Sequence, residues 1–329
     1  LMLTGILQLL YNAADIVVVG RYAGSVALAA VGSTGSLINL IINLFMGLSV
    51  GASVIVAQHY GANSPKDVSE AVHTSITIAG ISGVAVGLFG IAAARPLLHL
   101  MGSPDDVLDH AALYMRIYFV GMPAFMLYNF GAGVLRAIGD TRRPLYFLTL
   151  SGLVNVCFNL IFVIVFGMGV DGVAWATVIS QYLSAALILY CLIRSEGAIH
   201  LDRKKLSIRK DKLLGIVRVG LPAGLQGSLF SISNVLIQSG INSFGSIAMA
   251  GNAAASNIEG FVYTSMNTIH QAAVTFTSQN MGARRYERIS RITWLCAAIV
   301  TIVGLAIGWL AYLFAPQLLR IYSSDPEVL

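Results

Sequence analysis

The sequence is short of charge. Asp, Glu, Lys and Arg make up 11% of its 329 residues, against about 25% in an ordinary soluble domain. Fifteen acids and twenty bases do not supply enough polar surface to coat a globule of this size in water. That excludes a soluble enzyme, a disordered chain and a nucleic-acid-binding protein. Cysteine is scarce as well: Cys157, Cys191 and Cys296 all fall in apolar stretches, at a spacing that suits neither a disulfide framework nor a metal site. Eight prolines are too few for a Pro-rich linker protein. The sequence also lacks a phosphate-cradling loop of the Walker type, a paired-His metal motif and a nucleophile context around any Ser or His. Neither an ATP-driven pump nor an enzyme is expected, and no cofactor.

What the chain has in excess is apolar length. It is 57% hydrophobic, with a mean hydropathy of +0.78. Nine stretches reach the roughly 20 residues that a membrane helix needs: 2–20, 34–57, 71–94, 111–135, 145–167, 172–193, 214–242, 247–279 and 292–316. None shows the ten-residue alternation of a barrel strand. The expected fold is therefore an all-α polytopic membrane protein. Its 33 glycines suit helices packed in lipid. Pro123 and Pro222, inside or near the start of apolar runs, are expected to kink or open a helix. The first residue is Leu1 rather than a Met, and the first span begins at once, so an upstream segment is expected to be missing.

The bases sort by side. Lys66, Arg136, Arg142, Arg143, the run from Arg194 to Arg218, and Arg284, Arg285, Arg288 and Arg291 occupy alternate loops, and hold sixteen of the twenty bases. Such a bias marks the cytoplasmic face. It accounts for the net +5 without a nucleic-acid partner.

A shift of 221 residues aligns Gly24-Ser25-Val26-Ala27-Leu28-Ala29 with Gly245-Ser246-Ile247-Ala248-Met249-Ala250. The same shift aligns Gln58-His59-Tyr60-Gly61-Ala62 with Gln279-Asn280-Met281-Gly282-Ala283. Six spans separate the copies, which gives parallel repeats about an axis along the membrane normal. The expected organisation is a six-span unit over 1–193, a basic cytoplasmic linker over 194–212, and three spans of a second unit over 213–329. About three helices are expected to follow Leu329.

Thirteen of the fifteen carboxylates lie in loops or at helix ends; Asp15 and Glu259 do not. An ionisable group at mid-bilayer costs at least about 2.5–3.5 kcal/mol and is a functional candidate by default. Gln8, Tyr11, Asn12 and Asp15 share one helical face. Ser151, Asn155 and Asn159 form a column spaced by four in the fifth span, and Thr177 lies early in the sixth. Ser231, Asn234, Gln238 and Asn242 mark a face of the seventh; Glu259, Tyr263, Met266, Asn267 and His270 mark one of the eighth. Single amides and hydroxyls read as interhelical glue worth about 0.6 kcal/mol each. Asp15 reads as a coupling site that takes up a proton or ligates Na⁺ beside amide oxygens. Gly83-x-x-x-Gly87 and Gly304-x-x-x-Gly308 read as close-packing faces.

Leu10-Tyr11-Asn12-Ala13-Ala14-Asp15-Ile16-Val17-Val18-Val19-Gly20-Arg21, with Gly24 and Ala27-Leu28-Ala29-Ala30-Val31-Gly32 after it, resembles the opening of multidrug and toxic compound extrusion (MATE) transporters. Gln58-x-x-Gly61-Ala62, Leu135-Arg136-Ala137-Ile138-Gly139-Asp140-Thr141-Arg142-Arg143-Pro144, Gly220-Leu221-Pro222 and Gln279-Asn280-Met281-Gly282-Ala283 are similar to further motifs of that family. The resemblance implies twelve helices in a two-lobe helical bundle around a central cavity, of which about nine are in this chain. It implies a monomer in the bacterial plasma membrane that exports drugs or organic cations in exchange for H⁺ or Na⁺. It assigns ion coupling to Asp15, Asn155, Asn159 and Thr177, with Asp15, Asn155 and Asn159 as ligands if the ion is Na⁺. Some members carry Asp where this chain has Asn159. Substrate-cavity candidates are Gln8, Tyr11, Asn12, Asn234, Gln238, Glu259, Tyr263, Asn267 and His270. A flippase for lipid-linked oligosaccharides is the alternative, and would be expected to show bases within the cavity-lining spans.

Overall fold

The computed structural model describes residues 5–7, 18, 25–100, 105–242, 246–315 and 317–318. Among them the regular structure is helical throughout, with no strand. The helices are α1 (Ser25–Gly61), α2 (Pro65–Leu100), α3 (Asp105–Val120), α4 (Met122–Ala137), α5 (Arg142–Leu160), α6 (Val170–Arg194), α7 (Lys210–Asn242), α8 (Ser246–Gly282) and α9 (Tyr286–Leu313). Six of the described helices are long and apolar enough to cross a membrane, or seven spans if the bent pair α3–α4 is one. These seven coincide with the second to seventh and the ninth of the expected spans. The eighth is the 37-residue helix α8, which is not among those that meet the hydropathy test. The first expected span falls almost wholly outside the described residues.

Local chemistry sets the ends. Pro65 opens α2, where the missing N–H costs nothing. Before it, the Ser64 hydroxyl donates to Asp67 at 2.5 Å, and Asp67 places negative charge at the helix N-terminus. The Asp140 carboxylate accepts the backbone N–H groups of Arg142 (3.1 Å) and Arg143 (3.2 Å), so it caps α5. Gly139 before it has φ +91°, which a Cβ would disfavour. Gly121 and Pro123 break the fourth span into α3 and α4 with a bend of 48°. Pro222, by contrast, sits within the continuous α7.

Packing is by small residues. A Cβ on Gly83 would lie 2.6 Å from Pro123 Cα, and one on Gly87 would lie 2.9 Å from the Phe119 carbonyl. The first Gly-x-x-x-Gly face is thus where α2 seats the α3–α4 break, around the fully buried Met115, Phe119, Met122 and Phe130. The second does not repeat this. Gly308 has nothing within 4 Å of a Cβ among the described residues, and Gly304 meets only Met266 Sδ at 3.6 Å. None of the residues of α9 is buried. Many of the intramembrane hydroxyls serve their own helix: Ser75, Thr77, Thr149, Ser265 and Thr268 each donate to the carbonyl four residues back.

The linker is fastened down. Asp202 N–H donates to His73 Nε2 at 3.0 Å, and Arg209 N–H donates to Thr74 Oγ1 at 3.2 Å. The N–H of Lys204, then the charge of Lys205, hold the Asp202 carboxyl below its ordinary range and tighten that turn. At the start of α7, Lys212 is buried. Its ammonium donates to Asp67 at 2.7 Å and to His59 Nε2 at 3.1 Å, and lies 3.3 Å from Asp211. Lys212→Ala is expected to cost about 1–3 kcal/mol, read as a lower melting temperature of the detergent-solubilised protein. An unchanged melt would show that the three groups are held by packing alone.

Candidate functional site

The column expected in the fifth span turns inward. Ser151, Asn155 and Asn159 are all buried on one face of α5. Their spacing of four returns each side chain to the same stripe, and α6 packs against it. Asn155 Nδ2 donates to Thr177 Oγ1 on α6 at 3.4 Å, and Asn159 Nδ2 donates to Asn155 Oδ1 at 3.3 Å. The Thr177 hydroxyl donates in turn to the Val173 carbonyl at 3.0 Å. Two residues beyond Asn159 the helix widens into a π turn, Ile161–Val165, a feature that often marks functional sites. Three of the four expected coupling residues therefore meet in space. The fourth, Asp15, lies outside the described residues, as do Gln8, Tyr11 and Asn12.

The described part of the cluster is made of neutral dipoles. Amide and hydroxyl oxygens can ligate a monovalent cation or accept from a protonated carboxyl. Without a carboxylate they cannot balance a charge.

The candidates on α7 and α8 are more open. Asn234, Glu259 and His270 are exposed, and Asn267 is half-buried. Tyr263 is exposed and stacks on Phe230 of α7, with ring centroids 6.3 Å apart. The side chain of Gln238 lies outside the described residues. The structure thus brings Tyr263 to α7 and leaves Glu259, Asn267 and His270 spread along α8.

Toward the basic face, α1 and α7 cross with their backbones in contact. The crossing is made by Gly47 and Gly51 on α1 and Gly220 and Gly224 on α7. A Cβ on Gly51 would lie 2.8 Å from Gly220 N, and one on Gly220 would lie 2.7 Å from Leu48 Cα and 2.8 Å from the Gly47 carbonyl. Both pairs are Gly-x-x-x-Gly spacings, a signal present in the sequence that marks close helix approach. Farther in, Asn43 Nδ2 donates to Ser231 Oγ at 2.7 Å, which joins the same two helices.

At the basic end itself the sequence repeat becomes a contact. The turns that end α1 and α8 share one hydrogen-bond pattern: Ala62, Asn63 and Ser64 N–H donate to Gln58, Tyr60 and His59 carbonyls. Ala283, Arg284 and Arg285 N–H donate to Gln279, Met281 and Asn280 carbonyls. Each of these partners is displaced by the same 221 residues. Asn63 and Arg284, also related by the shift, both have φ +54°. The turns press on each other reciprocally. A Cβ on Gly61 would run into the Gln279 carbonyl oxygen, and one on Gly282 into that of Gln58. Gln279 Nε2 also donates to the Ala137 carbonyl at the end of α4, at 2.7 Å. Backbone against backbone, these contacts join the two turns at the basic end.

Comparisons with known proteins bear on the family and the fold. The sequence model of the MatE family matches residues 1–161 and 222–329. The probable multidrug resistance protein YoeA of Bacillus subtilis is 30% identical over 338 residues, which span 100% of this chain and 73% of that protein. The probable multidrug resistance protein NorM of Thermotoga maritima is 24% identical, over 98% of this chain and 70% of that one. Among solved structures, the outward-facing conformation of a multidrug resistance MATE family transporter of the MOP superfamily superposes with a TM-score of 0.89 at 28% identity. It covers 98% of this chain and 72% of that one.

Proposed function

This chain belongs to the MATE family of multi-pass membrane transporters, and on that premise we propose that it exports cationic, amphiphilic drugs in exchange for H⁺ or Na⁺. The observation that carries the coupling part is the buried pair Asn155 and Asn159, joined to the half-buried Thr177. It is a preformed set of oxygens in the apolar layer, on the polar face expected to meet Asp15. The relatives named as multidrug resistance proteins support drugs as the exported class.

In the proposed cycle the basic face opens first, and a cationic amphiphile enters while Asp15 is deprotonated. Closure of the Gly61–Gln279 and Gly282–Gln58 contacts then seals that face. A proton or Na⁺ arriving from the opposite side neutralises or occupies Asp15 and rearranges the contacts of Asn155 and Asn159. This weakens the hold on the substrate. The ion can drive this only through a difference in affinity between the two states.

The test is dye efflux from cells expressing the full-length gene, with a Na⁺ gradient and a pH gradient imposed separately. One gradient alone is expected to sustain efflux. Efflux that ignores both would remove the antiport reading and leave only a membrane pathway.

A further inference from the structure

A cavity of about 680 Å³ opens at the basic end, between the α4–α5 loop, the end of α6 and the first turn of the linker. It lies apart from the buried amide cluster, and the transport cycle above does not use it. Its charged lining comprises two guanidinium groups, Arg143 and Arg194, and two carboxylates, Asp140 and Glu196. The first pair is spent internally. Arg143 Nε lies 3.1 Å from Asp140 Oδ2, and Arg143 Nη1 donates to Ser195 Oγ at 3.3 Å. Asp140 also caps α5. Arg194 and Glu196 remain, one positive and one negative, two residues apart. Among the described residues neither enters an ion pair. The Arg194 guanidinium lies over the Tyr190 ring, 5.6 Å from its centroid, and both residues are exposed.

We propose that this cavity binds the zwitterionic phosphoethanolamine headgroup of an inner-leaflet phospholipid, its phosphate on Arg194 and its ammonium on Glu196. Charge selects the headgroup. A purely anionic group would gain from Arg194 but would meet the Glu196 carboxylate, whereas a zwitterion carries an opposite charge for each. The Ser195 hydroxyl is spent on the Cys191 carbonyl at 2.7 Å; the hydroxyl of Tyr60 in the lining supplies a further phosphate donor. Position selects a lipid over a free phosphate compound. About one turn further along the two helices that flank the cavity stand Tyr146 on α5, 64% exposed, and Tyr190 on α6, 60% exposed. Beyond Tyr146 lies the exposed Leu150. Exposed aromatics next to bases are the usual furniture of the headgroup level.

The experiment uses the purified full chain in detergent, with thermal unfolding and native mass spectrometry as readouts. The added probes are phosphatidylethanolamine, phosphatidylglycerol and the chain-free glycerophosphoethanolamine. Phosphatidylethanolamine is expected to bind and to raise the melting temperature more than phosphatidylglycerol. Arg194→Ala is expected to weaken its binding about tenfold, as removal of one charge-assisted bond does. Glu196→Gln is expected to abolish the preference between the two lipids and leave phosphatidylglycerol binding intact or stronger. Both residues are exposed, so the lipid-free melting temperatures of both variants should match the parent and show that the fold survives. Equal binding of the two lipids by the parent would overturn the assignment. So would unaltered phosphatidylethanolamine binding in Arg194→Ala. A response to glycerophosphoethanolamine as strong as that to the lipid would overturn the membrane source and make the cavity a site for soluble phosphate compounds.

Discussion

Asp15→Asn is expected to leave membrane insertion intact and to cut gradient-driven dye efflux on the order of 100-fold, the upper part of the range for coupling free energies of about 1–3 kcal/mol. The magnitude follows from what the rest of the cluster lacks. Asn155, Asn159 and Thr177 already satisfy much of their hydrogen bonding among themselves and on the Val173 carbonyl. They are dipoles, and a dipole changes little when an ion comes or goes. A carboxylate changes by a full charge in a medium where that charge is costly. Asparagine keeps the shape and loses the titration. Asn155→Ala, which removes the bridge to Thr177, is expected to give a smaller loss, about tenfold, because the charge remains. Parental efflux in Asp15→Asn under both gradients would end the coupling assignment.

Gly61→Val is expected to shift the closed-to-open ratio of the basic face by a factor of about 5 to 150, as overpacking at about 1–3 kcal/mol does. The new Cβ would meet the carbonyl oxygen of Gln279, which belongs to backbone and cannot rotate away. Gly282→Val should do the same through Gln58, and the double variant should add little, since one wedge already parts the turns. The measurement is the spread of distances between spin labels at Lys66→Cys and Arg288→Cys, with Cys157, Cys191 and Cys296 replaced by Ser. Gly80→Ala is the control with the opposite sign. It lies within α2 with nothing within 4 Å of a Cβ, so it is expected to stabilise by about 0.4–1 kcal/mol. An unmoved distance distribution in Gly61→Val would mean that these contacts do not hold the face shut.

Much of the fold is legible in the sequence, because membrane helices announce themselves by length. The runs around 34–57, 71–94, 145–167, 172–193 and 292–316 needed only a count of apolar residues. The repeat was readable as well: Gln58-x-x-Gly61 and Gln279-x-x-Gly282 recur at one shift, and backbone contact confines both glycines. The column Ser151, Asn155, Asn159 was visible because a spacing of four defines a face. Other features were hidden for a physical reason. The run 111–135 is apolar on both sides of Gly121 and Pro123, so hydropathy is blind to the 48° bend between them. Gly83-x-x-x-Gly87 and Gly304-x-x-x-Gly308 carry the same signature, yet only the first meets a neighbour closely among the described residues. Small-residue spacing states that a helix can be approached and leaves open which helix approaches. For the same reason the α1–α7 crossing at Gly47, Gly51, Gly220 and Gly224 required knowledge of partners. On α8, Glu259 and His270 suggested a site by residue type, while their exposure depends on which helices stand opposite.

The reciprocal turns carry one more consequence. A patch that meets its own duplicate across a dyad is the hallmark of an isologous dimer. Gly61 on Gln279 and Gly282 on Gln58 are that arrangement written within a single polypeptide. A side chain at either glycine would therefore part both turns, because the atom that confines each belongs to the other's duplicate.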